Sequence, residues 1–299
     1  MTPPALPESC ARGSFASAVV QVVDWRCAGH DTARGVEEHA EGHEIVVSRR
    51  GAYYREIAGR SSLVDAGTVT FAHPDEGYRV RHPLPGGDAC TLFRLPREEA
   101  RALLGEPARF PAAHAALDGR GYLLHRLALE AARRARREPA AVLEAEECGV
   151  AFLHTAWAAA ARCRPRCRRH DRGPESGRRG SAERVARARE LVAARYREPL
   201  SLADIARAAG CSPYHLSRLF TAAAGVPLWR YVIGLRLRDA LERILETRDG
   251  LSAIALATGF ASQSHFGDAF HREFGCAPGA VRRLPAARVR ELARRARIR

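Results

Sequence analysis

Residues 202–226 and 251–276 carry one helical pattern twice, about fifty residues apart, and this repeat constrains the fold more than any other feature of the chain. Setting Leu202-Ala203-Asp204-Ile205-Ala206 on Leu251-Ser252-Ala253-Ile254-Ala255 brings Gly210 onto Gly259. A one-residue gap then aligns Ser212 with Ser262, His215 with His265, Phe220 with Phe270 and Gly225 with Gly275. Each copy reads as a short apolar-periodic helix, a Gly able to end it in the left-handed conformation, a Ser able to cap the next helix, and a second helix ending at another Gly. That order of signals predicts a helix-turn-helix in each copy. Between the copies, Leu228, Val232, Leu235, Leu241 and Ile244 follow helical spacing and predict one amphipathic helix from about Leu228 to Glu246. At roughly 1.5 Å per residue it would span about 28 Å, near the roughly 34 Å between major-groove openings on one DNA face.

Charge is distributed unevenly. All 48 basic residues are Arg, and the net charge of +14 arises as −2 in residues 1–161, +6 in 162–180 and +10 in 181–299. The excess thus accompanies the repeat, where it could displace counterions from a phosphate backbone. No long apolar run and no basic-then-apolar N-terminal segment is present, so a cytoplasmic, nucleoid-associated protein without a membrane contact is expected. The cysteines show no regular framework, which fits reduced thiols. Cys163, Cys167 and His170 form the tightest group, but four Arg among them oppose a metal ion.

The first half has a different character. Short β-rich runs between residues 14 and 95, separated by Gly, Pro, Asp or Arg, predict a small barrel or sandwich. Helical periodicity follows at 98–104, about 112–137 and 140–161, with breaks at Pro111 and Pro139 and Ala-rich faces suited to close packing within a subunit or across a dimer. Residues 162–181 are Arg-rich with almost nothing apolar and are expected to be a flexible linker. The expected organisation is therefore a sensing domain at 1–105, a helical dimerisation segment at 106–161, the linker, a DNA-binding domain at 182–285 and a basic tail at 286–299.

In the first unit Ser212 should cap a helix beginning at Pro213, with Leu216, Leu219 and Phe220 inward and Pro213, Tyr214, Ser217 and Arg218 outward. Arg218 is the leading base-reading candidate, because a guanidinium matches guanine O6 and N7. In the second unit Phe266, Ala269 and Phe270 should face inward, and Gln263, Ser264, Gly267 and Asp268 outward. Asp268 aligns with Arg218 and repels phosphate, so the second unit is expected to read DNA more weakly, with Asp268 orienting Arg272. His215 and His265 occupy equivalent positions, read first as packing residues and second as DNA contacts.

These motifs, above all Ile254-Ala255-Leu256-Ala257-Thr258-Gly259-Phe260 and Phe270-His271-Arg272-Glu273-Phe274-Gly275-Cys276-Ala277-Pro278, make residues 184–283 similar to the DNA-binding domain of the AraC/XylS family of bacterial transcription regulators. The resemblance implies two helix-turn-helices joined by a long helix, with DNA-contacting positions carried onto Pro213, Tyr214, His215, Ser217, Arg218, Gln263, Ser264, His265, Asp268, Arg272 and Arg282. Asp268 stands where the family commonly has a basic residue, and Val281 where it commonly has an aromatic one. The resemblance also implies, for the first half, a cupin-like β-barrel ahead of a helical hairpin. The fold class expected is therefore α+β, and the protein expected is a non-enzymatic regulator. Its expected partners are double-stranded DNA over two adjacent major-groove segments, a small effector, RNA polymerase and a second copy of itself.

Two rivals differ in class. A metal-dependent cupin enzyme would use some of His39, His43, Glu44, His73 and His82, but the expected two-apart His pair is missing and His43 and Glu44 would point to opposite faces of one strand. No cofactor and no metal site are therefore expected. An architectural DNA binder would show strong salt dependence and little sequence preference.

Overall fold

The computed structural model describes residues 11–29, 36–106, 108–163 and 175–282, and these fall into two compact units that part between residues 163 and 175. Most of the Arg-rich 164–180 run, Cys167 and His170 with it, and the 286–299 tail lie outside the described residues.

The N-terminal unit begins with nine strands: β1 (Ala11–Ala16), β2 (Gln21–Cys27), β3 (Val36–His39), β4 (His43–Arg50), β5 (Tyr53–Ile57), β6 (Arg60–Val64), β7 (Thr68–Ala72), β8 (Gly77–Arg81) and β9 (Asp88–Leu95). Helix α1 (Arg97–Leu104) and strand β10 (His114–Ala116) follow. They form two antiparallel sheets, ordered β1-β2-β9-β4-β7-β10 and β3-β8-β5-β6. Tyr53 and Val64 of the smaller sheet cluster with Cys90, Trp25 and Val46 of the larger, so the sheets pack face to face. Of the barrel or sandwich expected, the described residues form the sandwich. No hydrogen-bonded ladder joins the two sheets among the described residues, and both remain open.

The opposite face of the larger sheet is covered by an antiparallel pair, α2 (Gly119–Ala135) and α3 (Val142–Arg162). Phe93 stacks on Phe152 at 4.4 Å between ring centroids, and Ile45, Val47, Tyr122 and Leu129 are buried around them. The predicted helix at 112–137 begins late. Residues His114–Ala116 instead pair with β7, and Asp118 caps α2 by accepting the Gly121 amide at 2.8 Å. The Ala-rich stretch of α3 is used inside the subunit, since Ala156, Ala159 and Ala160 are buried in the pair with α2.

His125 on α2 carries a pH dependence. Its Nδ1 lies 3.0 Å from the Tyr122 carbonyl and its Nε2 3.0 Å from the Thr91 hydroxyl. Burial, reinforced by the charges of Arg126 and Arg49, pushes its pKa well below the usual value. The ring is thus neutral, with Nδ1–H donating to the carbonyl and Nε2 accepting from Thr91. The unfolded chain binds a proton there near pH 6.5 and the folded unit does not. Stability therefore falls as pH drops below about 6.5, by up to about 1.4 kcal/mol per pH unit from this one group. Urea midpoints of the wild type and His125→Gln should converge between about pH 7.5 and about pH 5.5; parallel profiles would show that His125 is not the group responsible.

The C-terminal unit is all helical: α4 (Glu175–Arg195), α5 (Leu202–Ala209), α6 (Pro213–Ala224), α7 (Leu228–Glu246), α8 (Leu251–Ala257), α9 (Gln263–Phe274) and α10 (Pro278–Val281). Helix α4 begins inside the segment expected to be linker, so residues 175–181 are its first turns rather than unstructured chain. Its later residues Val185, Ala188 and Val192 are buried, which supplies the apolar spacing that the 162–181 composition lacks. It packs on α5 and α6, while α7 packs on α6, α8, α9 and α10. The connecting helix α7 has the bounds expected from its apolar spacing.

Candidate nucleic-acid interface

The two repeat copies fold into the two helix-turn-helices, α5–α6 and α8–α9, through local signals that recur in both. Gly210 follows α5 at φ 68°, and Gly259 follows α8 at φ 87°. Ser212 accepts the His215 amide at 3.3 Å, and Ser262 accepts the His265 amide at 3.2 Å. Left-handed Gly225 and Gly275 end α6 and α9. Phe220, Leu216, Phe266, Ala269 and Phe270 are buried as the spacing required, and Leu219 is partly so. Pro213, Tyr214, His215, Ser217 and Arg218 on α6, and Gln263, Ser264, His265, Asp268 and Arg272 on α9, are all exposed. Each helix thus offers a polar face that is exposed among the described residues.

Several details depart from the sequence reading. The Arg218 guanidinium lies over the Tyr214 ring at 5.9 Å, one turn away. His265 sits against Phe260 with ring centroids 5.5 Å apart, although it stays exposed. Arg272 donates to the backbone carbonyl of Asp268 at 3.3 Å, not to its carboxylate. Arg282 donates to the Ile244 carbonyl at 3.3 Å and to the Asp249 carbonyl, which ties the end of α7 to the loop before α8. Thr221 and His271, three residues beyond the aligned Arg218 and Asp268, are exposed on the same helices. Their equivalence in the alignment was the signal that could have found them.

The two units are coupled through Arg236 of α7. Its Nε donates to the Tyr196 carbonyl at 2.5 Å, Nη2 to the Glu198 carbonyl at 2.8 Å and Nη1 to the Gly259 carbonyl at 2.7 Å. One guanidinium therefore fastens the segment before α5 to the turn between α8 and α9. Burial lowers the Arg236 pKa, yet three carbonyl acceptors satisfy the charge. Beside it Arg197 donates to Asp239 at 2.7 Å, a bond that raises the Arg197 pKa. Neither pair was legible in the sequence, because its members lie about forty residues apart.

In the N-terminal unit, His43 and His73 of the enzymatic rival adjoin, while His39, Glu44 and His82 lie apart from them among the described residues. His43 packs against His73 and Phe110, with its Nε2 3.0 Å from the Ala108 carbonyl. Glu44 emerges on the other face of β4 and accepts Arg94 at 2.8 Å. His39 is exposed on β3, and burial lowers the His73 pKa. His82 pairs instead with Asp88 at 2.6 Å, beside Cys27. Among the described residues Cys27, His82 and Asp88 are the one group with metal-ligating spacing, and sequence reading did not bring them together. No described helix is long and apolar enough to cross a membrane.

Comparison with known proteins bears on the C-terminal unit. A helix-turn-helix domain family matches residues 205–284. The HTH-type transcriptional regulator GlxA of Rhizobium meliloti is 41% identical over 85 residues, 28% of this chain and 26% of that protein. The right origin-binding protein of Escherichia coli K12 is 35% identical over 88 residues, 29% of this chain and 30% of that protein. A solved transcriptional regulator of Chromobacterium violaceum with an AraC-type DNA-binding domain is 34% identical over 35% of this chain and 94% of that one, at a TM-score of 0.33. The chain thus spans about a quarter to a third of the length of these two curated relatives. The C-terminal unit is thus a doubled helix-turn-helix domain of the AraC/XylS type.

Proposed function

We propose that the protein is a sequence-specific, double-stranded DNA-binding regulator of transcription that acts without a catalytic step. The observation that carries this reading is the pair of capped helices, α6 and α9, whose outer faces are polar and exposed among the described residues while Arg236 holds their two units together. Pro213, Tyr214, Ser217 and Arg218 would read one major-groove segment, and Gln263, Ser264 and His265 would touch the next. Asp268 accepts from cytosine or keeps the second helix from tight phosphate contact. Arg282, already committed to two carbonyls, orders the α7–α8 connection and reaches DNA only at its margin.

The N-terminal unit is read as the controlling half. A cavity of about 490 Å³ lies beside β1, β2 and α2, lined by Asp24, Glu130, Arg133, Arg136 and Arg137 among others. Its size suits a small effector, and it opens between the larger sheet and α2 rather than between the two sheets. Self-association through the helical pair and contact with RNA polymerase complete the proposal. They are supported by the family of the DNA-binding domain alone.

Arg218→Ala is the direct test. On an operator recovered by selection from random DNA, affinity should fall by about 10- to 100-fold, the worth of one bidentate base contact of roughly 1–3 kcal/mol. On unselected DNA it should change little. An equal loss on both would reduce Arg218 to a phosphate contact, and wild-type affinity indifferent to sequence but steep in salt would favour the architectural binder.

A further inference from the structure

Three donor groups of different chemistry meet between the two sheets of the N-terminal unit, remote in sequence from any motif. Cys27 ends β2 directly opposite Asp88 in the β2–β9 ladder, and Cys90 follows two residues later on β9. Residues paired or two apart in a sheet share a face, so all three side chains project to the same side. His82, immediately after β8, supplies the third kind of donor. Cys27 Sγ, a ring nitrogen of His82 and an Asp88 carboxylate oxygen all lie within 4.8 Å of one another. His82 Nε2 is 2.6 Å from Asp88 Oδ1, and the Cys90 thiol donates to Asp88 Oδ2 at 2.8 Å.

The surroundings hold these atoms in place. The His82 and Asp88 side chains are 6% and 4% exposed. The Gly29 amide donates to Cys27 Sγ at 3.4 Å. Two left-handed glycines pack the backbone tightly here: a Cβ on Gly87 would meet the Cys27 carbonyl at 2.0 Å, and one on Gly51 would meet the Gly87 carbonyl at 2.2 Å. Ligand atoms around a tetrahedral zinc ion, at bonds of about 2.0–2.3 Å, stand about 3.4–3.8 Å apart. The 2.6 Å His82–Asp88 edge must therefore open by about 0.8 Å, giving up its direct hydrogen bond, for the triangle to hold an ion.

We propose that Cys27, His82 and Asp88 form a binding site for a thiophilic divalent cation of the zinc type, with the Cys90 thiol bonded to the ligating carboxylate. Thiolate, imidazole and carboxylate together select zinc-like ions over magnesium or calcium. Binding displaces the Cys27 thiol proton to solvent, and any proton held by His82 leaves with it. The fourth position falls to water. This site does not depend on the DNA-binding reading, and its test uses no DNA.

Metal-free full-length protein titrated with Co²⁺ should bind one equivalent and develop thiolate-to-cobalt charge-transfer absorption in the near ultraviolet. Zn²⁺ should displace the cobalt. Cys27→Ser should abolish the band, His82→Gln should remove tight binding while leaving the circular dichroism unchanged, and Cys90→Ser should weaken affinity by about 10- to 100-fold. A wild-type protein that binds no Co²⁺, or binds it without the thiolate band, overturns the proposal. So does a band that survives both Cys27→Ser and His82→Gln but is lost in a Cys163→Ser/Cys167→Ser double variant. If Cys27→Ser does not fold, His82→Gln decides alone.

Discussion

Asp24→Ala should destabilise the N-terminal unit by about 3–5 kcal/mol, the cost of breaking a buried ion pair. Asp24 lies on β2 and accepts from Arg49 of β4 and from Arg133 of α2, the latter through Nη2 at 2.6 Å and Nε at 3.2 Å. Arg49 is the critical partner. Its side chain is 1% exposed, and its other bond from Nη2 is to the Cys90 carbonyl at 3.0 Å. Removing the carboxylate breaks this buried ion pair inside the sheet–helix layer. Arg133 is 30% exposed and can turn to water or to Glu130, so Arg133→Ala should cost much less.

The same cluster sets an acid limit. Burial by itself would raise the Asp24 pKa, but Arg49 and Arg133 more than reverse it and hold the carboxyl below its usual range. A depressed carboxyl contributes stability above the unfolded value, near pH 3.9, and loses it as pH falls through the folded value. Urea unfolding followed by Trp fluorescence should show the transition of the N-terminal unit moving in Asp24→Ala while that of the C-terminal unit stays. A double replacement, Asp24→Leu with Arg49→Met, should recover most of the loss, because exchanging a whole buried pair for apolar groups is close to neutral. A midpoint unchanged in Asp24→Ala would mean that Arg49 is satisfied without it.

Gly259→Ala should cost the C-terminal unit about 3 kcal/mol or more, from left-handed strain together with overpacking. The equivalent Gly210→Ala should cost only about 1 kcal/mol, close to the strain alone. Both glycines have positive φ, but a Cβ on Gly259 would stand 2.5 Å from the Arg197 carbonyl and 3.0 Å from Arg236 Nε. On Gly210 the nearest atom would be Arg187 Nη1 at 3.7 Å. The clash at Gly259 falls on backbone and on the guanidinium that joins the two helix-turn-helices. Gly259→Ala should therefore lower operator affinity further than its effect on the α8–α9 turn alone explains, and Gly210→Ala should not. Thermal unfolding and operator binding of the two variants decide the matter; equal effects would show that the Arg236 bridge is not what Gly259 protects.

The contrast between these glycines marks how far the sequence reached. Aligning Gly210 with Gly259 gave the turn conformation, and Ser212 and Ser262 gave the caps, because each signal acts within four residues of the group it satisfies. The α7 bounds followed from apolar spacing for the same reason. Strands such as Arg60–Val64 and Gly77–Arg81 were not legible, since they are short and largely polar on their outer face, and the second is stabilised by partners elsewhere in the chain. His114–Ala116 read as the start of a helix and became a strand because an edge of β7 was there to pair with it.

By itself the sequence determined the doubled helix-turn-helix, its caps and turns, the length of the connecting helix and the outward residues of α6 and α9. Tertiary structure alone decided that the first half makes two open sheets, that Arg236 locks one helix-turn-helix unit to the other, and that Cys27, His82 and Asp88 converge. The physical reason is range. Helix periodicity, capping and glycine turns are satisfied by neighbours along the chain, whereas sheet register, a shared guanidinium and a ligand triangle require groups that only long-range pairing brings together.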